Sequence, residues 1–263
     1  MAMNLGSFAS RVVATKVVAL DGTGDFTDIQ SAIDDLPAGG GVVYIKEGTY
    51  TITTAIIINV SNTAIIGAGK STKISTSIDD KMIYALSKSG IYLSQFYVYG
   101  AGAGKDGNYG IILETCTDCV LDGVWVEHCG GSGIYISGGS GNFIISCHSS
   151  SNSGNGIYPE SSPGTIVIGC VCKSNGYSGI EAQSNDTVIS NNYCSGNSEA
   201  GIEVYYGDRQ VVTSNISVSN KYGINIASSS TGTIVVSNSC TSNSTSQIIN
   251  NGSGTVIDHN YTG

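Results

Sequence analysis

The pentapeptide Gly-Ile-x-apolar-x returns at a nearly fixed spacing, and this repeat constrains the fold more than any other feature of the chain. Successive copies are 23, 23, 23, 22 and 22 residues apart. The copies begin at Gly110, Gly133, Gly156, Gly179, Gly201 and Gly223. Self-similarity at a period of roughly 20 to 50 residues is typical of a solenoid, in which each repeat buries its apolar face against its neighbours.

The residues between the copies have the pattern of further strands. Each interval holds an Asn, Asp or Gly corner, an Ile/Val-rich segment such as Thr187 to Ser190, and a short polar segment. Gly and Asn suit tight corners, whereas Ile, Val and Thr suit pleated surfaces. Parallel crossovers are right-handed. The sequence therefore predicts an all-β fold, a single right-handed parallel β-helix whose coils repeat every 22–23 residues.

The chain before the repeats divides into an extension and a cap. Residues 1–16 are interpreted as an N-terminal extension and residues 17–263 as a single β-helix domain. A turn-rich stretch leads into a segment with the apolar spacing of an amphipathic helix. This pattern predicts a capping helix over 26–37, followed by coils over 41–263. Such a plug covers the core and the strand edge that the first coil would otherwise expose.

Alternation along the pentapeptide separates the interior from the surface. Small side chains seven residues before each repeat position are predicted to share the interior, at Val126, Ser149, Cys172, Cys194, Ile216 and Cys240. Cys172, Cys194 and Cys240 are therefore expected to be buried free thiols that pack as small apolar groups. Cys147 and Cys170 lie one above the other, and a disulfide between them is compatible with the pattern but not required by it.

Asparagine recurs four residues before the repeat positions, which predicts an internal amide ladder along the axis of the solenoid. The predicted ladder positions are Cys129, Asn152, Asn175, Asn197, Ser219 and Asn243. A zinc site is not predicted, because Cys116 and Cys119 have CxxC spacing without a second pair at a usable distance.

Charge and hydropathy exclude two classes of partner. The net charge is −9, and the 11 Lys and Arg residues are not clustered, so nucleic acid is not an expected partner. The longest apolar runs fall far short of the roughly 20 residues that span a bilayer, so membrane insertion is not expected. The first eleven residues lack the pattern of a secretory signal, which leaves the localisation open. Nothing in the sequence indicates an oligomeric state.

The segment 25–50, DFTDIQSAIDDLPAGGGVVYIKEGTY, resembles the N-terminal cap and first strand of the pectate-lyase-like β-helix superfamily. That group includes pectate lyases, polygalacturonases, phage tailspikes and alginate C5-epimerases. The Gly-Ile repeats resemble those of its epimerase-like and NosD-like branches, and the resemblance covers residues 17–261. It implies a right-handed β-helix that engages a polysaccharide, with an extracellular or cell-surface location. The superfamily hosts hydrolases, lyases, epimerases and binding modules alike.

The catalytic motifs of this superfamily are not conserved in the chain. Alginate epimerases carry Tyr-Gly-Phe-Asp-Pro-His-Glu on one coil, and the best-matching segment here is 155–161, NGIYPES. Asn155, Tyr158 and Glu160 replace the Tyr, Asp and His of that motif, so only Gly156 and Pro159 are retained. The polygalacturonase and pectin methylesterase motifs are also missing.

The residues after each Gly-Ile predict two outward columns. Tyr135, Tyr158, Glu181 and Glu203 lie in one column, and Glu160, Gln183 and Tyr205 lie in the other. Adjacent coils are about 4.8 Å apart, so Glu181 and Glu203 are expected to stand above one another. Carboxylates at this spacing either raise a pKa, which gives a general acid beside a base, or gather a hard cation such as calcium.

Two functions are consistent with these columns. The first is a polysaccharide lyase or epimerase-like enzyme that acts on an acidic, uronate-containing polysaccharide, with Glu160, Glu181, Glu203 and Arg209 as catalytic residues. Such an enzyme is expected to need either no cofactor or calcium, bound by Glu181 and Glu203. The predicted substrate contacts are Tyr135, Tyr158, Tyr177, Gln183, Tyr205, Tyr206 and Asp208. The alternative is a non-catalytic carbohydrate-binding or structural module, as in a phage fibre or surface protein, on which the same side chains decorate a solvated face.

Overall fold

The computed structural model describes residues 16–263, which wind into a parallel β-helix with three long sheets. Each coil contributes one strand to each sheet, and every described pairing between strands is parallel. The predicted extension, 1–16, lies outside the described residues except for Lys16. No helix of the described part is long and apolar enough to cross a membrane.

The three sheets are named A, B and C in the order in which the chain enters them. Sheet A contains β1 (Lys16–Val18), β2 (Gly41–Ile45), β5 (Thr63–Ile66), β8 (Tyr92–Ser94), β11 (Val120–Asp122), β14 (Phe143–Ile145), β17 (Ile166–Ile168), β20 (Val188–Ser190), β23 (Val211–Thr213), β27 (Ile234–Val236) and β30 (Val256–Asp258). Sheet B contains β3 (Gly48–Thr51), β6 (Thr72–Ser75), β9 (Tyr97–Tyr99), β12 (Trp125–Glu127), β15 (His148–Ser150), β18 (Val171–Lys173), β21 (Tyr193–Ser195), β24 (Ile216–Val218) and β28 (Ser239–Thr241). Sheet C contains β4 (Ile56–Ile58), β7 (Ile83–Leu86), β10 (Ile111–Glu114), β13 (Ile134–Ser137), β16 (Ile157–Glu160), β19 (Ile180–Gln183), β22 (Ala200–Asp208), β25 (Tyr222–Ile226) and β29 (Ser246–Asn250), and β26 (Ser230–Thr231) pairs with the end of β22.

The predicted coil repeat is confirmed. Within sheet C the Ile after each repeat glycine pairs with the Ile of the next coil, as Ile111 does with Ile134 and Ile180 with Ile202. These side chains are fully buried in one continuous core. The outward residues between them are partly exposed, which is the alternation that a strand with one buried face requires.

The repeat glycines have a steric explanation. A Cβ atom added to Gly179 would lie 2.6 Å from the carbonyl oxygen of Gly201 in the next coil, and one added to Gly156 would lie 2.5 Å from that of Gly179. The backbones of successive coils therefore approach too closely at this corner for any side chain. This close contact explains why glycine recurs at these positions in the sequence.

The predicted asparagine ladder is present, with one position corrected. The Asn175 side-chain amide donates to Asn197 Oδ1 at 3.0 Å, and Asn197 donates to Asn220 Oδ1 at 2.9 Å. Asn220, rather than the predicted Ser219, occupies the ladder position. Likewise Ser217 is buried and pairs with Cys194, whereas the predicted interior residue Ile216 is exposed. Both corrections have one cause: in this coil, one residue fewer separates these positions from the repeat glycine.

A second amide ladder, which was not predicted, lies at the corner between sheets A and B. It consists of Asn192, Asn215, Asn238 and Asn260. Each of the first three donates to the Oδ1 atom of the next at 2.9–3.0 Å, and that atom also accepts a backbone N–H. The amides thus satisfy polar backbone groups that the narrow interior would otherwise leave without partners.

The capping helix is shorter than predicted. Helix α1 spans Ile29–Asp34 and packs against β1, β2 and β4. The side chain of Asp28 accepts a hydrogen bond from the backbone N–H of Ser31, which caps the first turn. Phe26 forms a parallel bridge with Val18 and is therefore extended. At the other end, Pro37 disfavours helical backbone at Leu36, so the helix ends early.

All eight cysteines are buried and free, which confirms the assignment of Cys172, Cys194 and Cys240. Cys147 and Cys170 are also free thiols. Burial raises the pKa of Cys129 and that of Cys240 to about 12. The thiolate, which is the reactive form, is thus suppressed at these two positions. The hydrogen bond with Cys119 instead lowers the pKa of Cys116, but this side chain is fully buried and so shielded from reagents.

The Gly179→Ala substitution tests the coil contact. The added methyl group is expected to lower the free energy of unfolding by about 1–3 kcal/mol through overpacking, and Tm should fall by about 2–4 °C per kcal/mol in a chain of this size. Gly39→Ala is the control, because a Cβ atom there meets nothing within 4 Å. Equal melting temperatures of the two variants would contradict the steric explanation.

The thiols provide a second test. A thiol reagent under non-reducing conditions should find no rapidly reacting cysteine in the folded protein and eight after unfolding in denaturant. The unfolded count is the control for oxidation. A count of six after unfolding would indicate one disulfide and would contradict the free state of one pair.

Candidate functional site

The outer face of sheet C carries the predicted columns. Tyr135 pairs with Tyr158, and Glu181 pairs with Glu203, so the two glutamates stand in adjacent coils about 4.8 Å apart. In the neighbouring column Glu160 pairs with Gln183. The alternation read from the sequence therefore places these side chains as expected.

A β-bulge changes the next position. The register between β19 and β22 shifts after Ala182, so Gln183 pairs with Tyr206. Tyr205, predicted to continue the column, is the extra residue of the bulge. Both tyrosines are more than half exposed, at 51% and 58%. The prediction of Tyr205 beside Gln183 was wrong because the bulge adds one residue on the outer face, so that Tyr206 takes the paired position.

Glu203 has the most perturbed carboxyl group of the site. It accepts hydrogen bonds from Ser178 Oγ at 2.9 Å and from Asn225 Nδ2 at 3.0 Å. Burial raises the pKa of Glu203; the hydrogen bond from Ser178 opposes this effect, and the negative charge of Glu181 adds to it. The proton on Glu203 is thus held more tightly than on an exposed glutamate.

Glu181 is held by two amides. Its Oε2 atom accepts from Asn155 Nδ2 at 2.9 Å, and its Oε1 atom accepts from Gln183 Nε2 at 2.6 Å. These contacts position a carboxylate beside Glu203. The site thus combines a fixed carboxylate with a neighbour whose proton is retained to higher pH.

Glu160 accepts hydrogen bonds from the hydroxyls of Tyr135 and of Tyr158, the latter at 3.3 Å. The two rings stack with centroids 5.0 Å apart. Burial, followed by the hydrogen bond to Glu160, raises the pKa of Tyr135 to about 12. Both phenols therefore remain protonated donors at neutral pH.

An open groove of about 510 Å³ runs along the corner between sheets B and C. Its lining residues are Asp106, Tyr109, Gly130, Gly131, Ser132, Ser153, Gly154, Asn155, Tyr158, Tyr177 and Glu181. Of the three predicted glutamates only Glu181 lines the groove. Glu160 and Glu203 lie on the adjoining sheet face rather than in the groove.

The groove includes residues that the sequence reasoning missed, among them Asp106, Tyr109 and Asn155. The first two belong to a longer corner that follows β9. The paired residues Ile83 and Ile111 are 28 positions apart, whereas Ile111 and Ile134 are 23 apart. This excess length is a signal, visible in the sequence, of an insertion at the edge of the solenoid, where loops commonly carry function.

Arg209 lies away from the glutamates with its own partner. Its Nε and Nη2 atoms donate to the two carboxylate oxygens of Asp186 at 2.7 and 2.8 Å. Arg209 and Asp186 both have positive φ and occupy equivalent corner positions one coil apart. The carboxylate of Asp208 accepts a hydrogen bond from the hydroxyl of Thr231. Among the hydrogen bonds of the described residues, none joins Arg209 or Asp208 to Glu160, Glu181 or Glu203.

Glu181 and Glu203 are also the two predicted metal ligands. In the range 16–263, no group of three or more His, Cys, Asp or Glu side chains is arranged to hold a metal ion. Glu181 and Glu203 would supply four oxygen ligands at most to calcium, which takes six to eight, so the remaining ligands would have to come from a bound substrate or from water.

Comparison with protein families gives the class. The family model described as right-handed β-helix region matches residues 18–240, and the chain belongs to this family. This confirms the predicted right-handed parallel β-helix. None of the curated protein sequences compared with the chain matches it.

Solved structures share the fold. The A-module of the mannuronan C-5 epimerase AlgE6 of Azotobacter vinelandii is similar with a TM-score of 0.79 and 18% identity, over 88% of this chain and 70% of that module. The enzymatically active domain of tailspike protein 2 of bacteriophage CBA120 has a TM-score of 0.73 at 17% identity, over 89% of this chain and 40% of that one. The N-terminal fragment of bacteriophage phi29 gene product 12 gives the same TM-score and identity, over 89% and 50%.

Glu203 predicts a pH dependence of stability. A carboxyl group whose pKa is raised by folding contributes stability below its unfolded pKa, and this contribution is lost as the pH rises through the folded pKa. The Glu203→Gln variant lacks this loss, so its Tm relative to wild type should increase between about pH 4 and pH 7. Glu47→Gln, at an exposed position, is the control. A constant difference across this range would contradict the perturbed pKa.

Proposed function

We propose that this protein acts on an acidic, uronate-containing polysaccharide at the outer face of sheet C. The observation that carries the proposal is the stacked pair of Glu181 and Glu203, in which Glu203 has a raised pKa and Glu181 borders a tyrosine-lined groove. Convergent titratable groups beside a groove are a mark of functional sites.

The two carboxyl groups suit lyase or epimerase-like chemistry. Such a reaction removes the proton on the carbon next to the uronate carboxylate, and a second group then supplies a proton to the sugar or to the leaving oxygen. Glu181, fixed by two amides, is the base in this proposal, and Glu203 is the acid. Tyr158 and Tyr177 offer flat apolar faces against which a sugar ring can pack.

The negative charge that develops on the substrate requires a donor or a cation. Arg209 is bound to Asp186 and would have to exchange that ion pair to serve. Asn155, which lines the groove, donates one amide N–H to Glu181, and its second N–H is a neutral donor for the substrate in this proposal. Calcium shared between Glu203 and a uronate carboxylate is an alternative source of positive charge, and it can be distinguished by adding a chelator.

The structural neighbours support this proposal through their shared fold. One of them is named an epimerase of mannuronan, and another is the enzymatically active domain of a phage tailspike. At 17–18% identity this likeness concerns the fold alone. The same fold supports several chemistries, so the residues of sheet C must carry the functional argument.

A non-catalytic binding module is the second candidate, and one observation favours it. Both oxygens of Glu160, Glu181 and Glu203 already accept hydrogen bonds from neighbouring side chains. A carboxylate that is fully occupied in this way is a weaker base than a free one. In this form of the proposal the tyrosines and amides of the groove bind the polysaccharide without altering it.

One set of assays separates these functions. The protein is incubated with pectate, alginate, hyaluronan and neutral glycans, with calcium or a chelator, while ultraviolet absorbance reports unsaturated uronates, reducing ends report hydrolysis and proton spectra report epimerised residues. Glu181→Gln and Glu203→Gln should each reduce turnover about 100-fold or more, the contribution typical of a general acid or base.

Glu114→Gln is the matched control. Glu114 also projects from sheet C and accepts a hydrogen bond from a tyrosine, Tyr84, but it does not line the groove. If the protein binds a polysaccharide without forming product, and the Glu181→Gln substitution weakens that binding, the protein is the non-catalytic binding module. The proposed site would be wrong if turnover and binding were unchanged in both the Glu181→Gln and the Glu203→Gln variants. It would also be wrong if they fell equally in the Glu114→Gln variant.

A further inference from the structure

The outer face of sheet B carries a column of rings that the site on sheet C does not use. Tyr97 pairs with Trp125, and Trp125 pairs with His148, so three rings follow one another along the axis in successive coils. All three are partly exposed. Partly exposed aromatic rings of this kind can pack against the apolar side of a ring-shaped ligand.

Two lysines lie over these rings. Lys73 Nζ is 4.0 Å from the centroid of Tyr99 and 5.5 Å from that of Tyr97. Lys70 Nζ is 5.2 Å from the centroid of Tyr97 and 5.7 Å from that of Trp125. The cations are thus held at the edge of the aromatic column by the ring faces themselves.

The positive charge of this surface is only partly neutralised by the protein. Among the described residues, no carboxylate lies within ion-pair distance of Lys73. Lys70 is 3.4 Å from Glu127, but half of its side chain is exposed, at 52%, so this pair is weak and exchangeable. The hydroxyl of Tyr97 donates to the other oxygen of Glu127 at 2.8 Å. Both carboxylate oxygens of Glu127 therefore already have a partner in this surface, Lys70 for one and Tyr97 for the other.

Sheets B and C have opposite polarity over the same coils. Glu127 is the one acidic residue within β6, β9, β12, β15 and β18 of sheet B. In sheet C, by contrast, Glu114, Glu160, Glu181 and Glu203 lie on the outer face. A polyanion approaching this protein of net charge −9 would be repelled by sheet C and attracted by the cationic part of sheet B.

We infer that this surface of sheet B binds an anionic polysaccharide, independently of any reaction on sheet C. The sheet B platform is defined by Lys70, Lys73, Tyr97, Tyr99, Trp125 and His148. The rings of Tyr97, Trp125 and His148 pack against sugar rings, and the two lysines pair with carboxylate or sulfate groups of the chain. A site of this kind would hold a long substrate on the protein while another part of the polymer reaches sheet C.

The platform has a built-in reporter, because Trp125 is the single tryptophan of the chain. Its fluorescence is recorded while the full-length protein is titrated with tetragalacturonate, with a sulfated oligosaccharide, with neutral cellotetraose and with a short oligothymidylate. We expect a saturable change with at least one of the two anionic saccharides that weakens as salt is added. The response to each of these saccharides distinguishes carboxylate from sulfate recognition.

Variants make the assignment specific. The double substitution Lys70→Gln and Lys73→Gln should weaken saccharide binding about three- to tenfold, as the loss of two exposed charge contacts predicts. The single substitutions Lys70→Gln and Lys73→Gln are compared with Lys88→Gln, the matched control that also removes one positive charge but lies at a different corner. The double variant Glu181→Gln and Glu203→Gln should leave the fluorescence response intact, which separates the platform from the proposed reaction.

Several results would overturn the inference. These are an unchanged tryptophan signal with both anionic saccharides, equal binding of cellotetraose, and tighter binding of the oligothymidylate, which would identify a single-stranded nucleic acid surface. An equal loss in the Lys88 variant would show a nonspecific charge effect. Loss of the response in the Glu181 and Glu203 variant would place the ligand on sheet C instead.

Discussion

Register between neighbouring coils is the constraint on which the rest of this structure depends. A coil can stack only if its corner backbone passes under the next one, and the repeat glycines allow that contact with no side chain between the two. The amide ladders then tie each corner to the next through buried hydrogen bonds. Because the stacking is regular, residues far apart in sequence are aligned in columns, and both surfaces described above are such columns.

Regular stacking also explains which parts of the structure were predictable. The alternation after each Gly-Ile, together with the spacing of the glycines, places Glu181 above Glu203 without any knowledge of tertiary contacts. The departures are local changes of length. A bulge replaces Tyr205 by Tyr206, and a shortened corner replaces Ser219 by Asn220. The repeat pattern describes the average coil and does not show a change of one residue within one coil. Such a change becomes visible only in the backbone path of the particular corner or strand. The groove was missed for the same reason, since an insertion builds part of its wall.

The contacts of the carboxylates divide them into two kinds. Tyr84 donates to Glu114, Tyr97 to Glu127 and Tyr135 to Glu160, in each case from one coil to the next. Tyr92 donates to Asp122 in the same way on sheet A, so this diagonal pairing occurs on all three sheets and is a structural device that fixes tyrosine rings on the surface. Glu160 is therefore held by the same kind of tyrosine hydrogen bond as Glu114 and Glu127, and none of the three lines the groove. Glu181 and Glu203 are held by amides and a serine hydroxyl instead, and they face each other as like charges.

A protein gains little stability from two stacked carboxylates, and their mutual repulsion adds to the cost of burying Glu203. Such an arrangement persists in a fold when function requires it or when neighbours compensate for it. Here Ser178 and Asn225 offset part of the cost at Glu203. The acidic face also opposes the approach of an acidic polymer, whereas the lysines over the rings of sheet B attract one. If both surfaces serve the same polysaccharide, then attraction is located on one sheet and proton transfer on another, and the rigid coil keeps the distance between them constant.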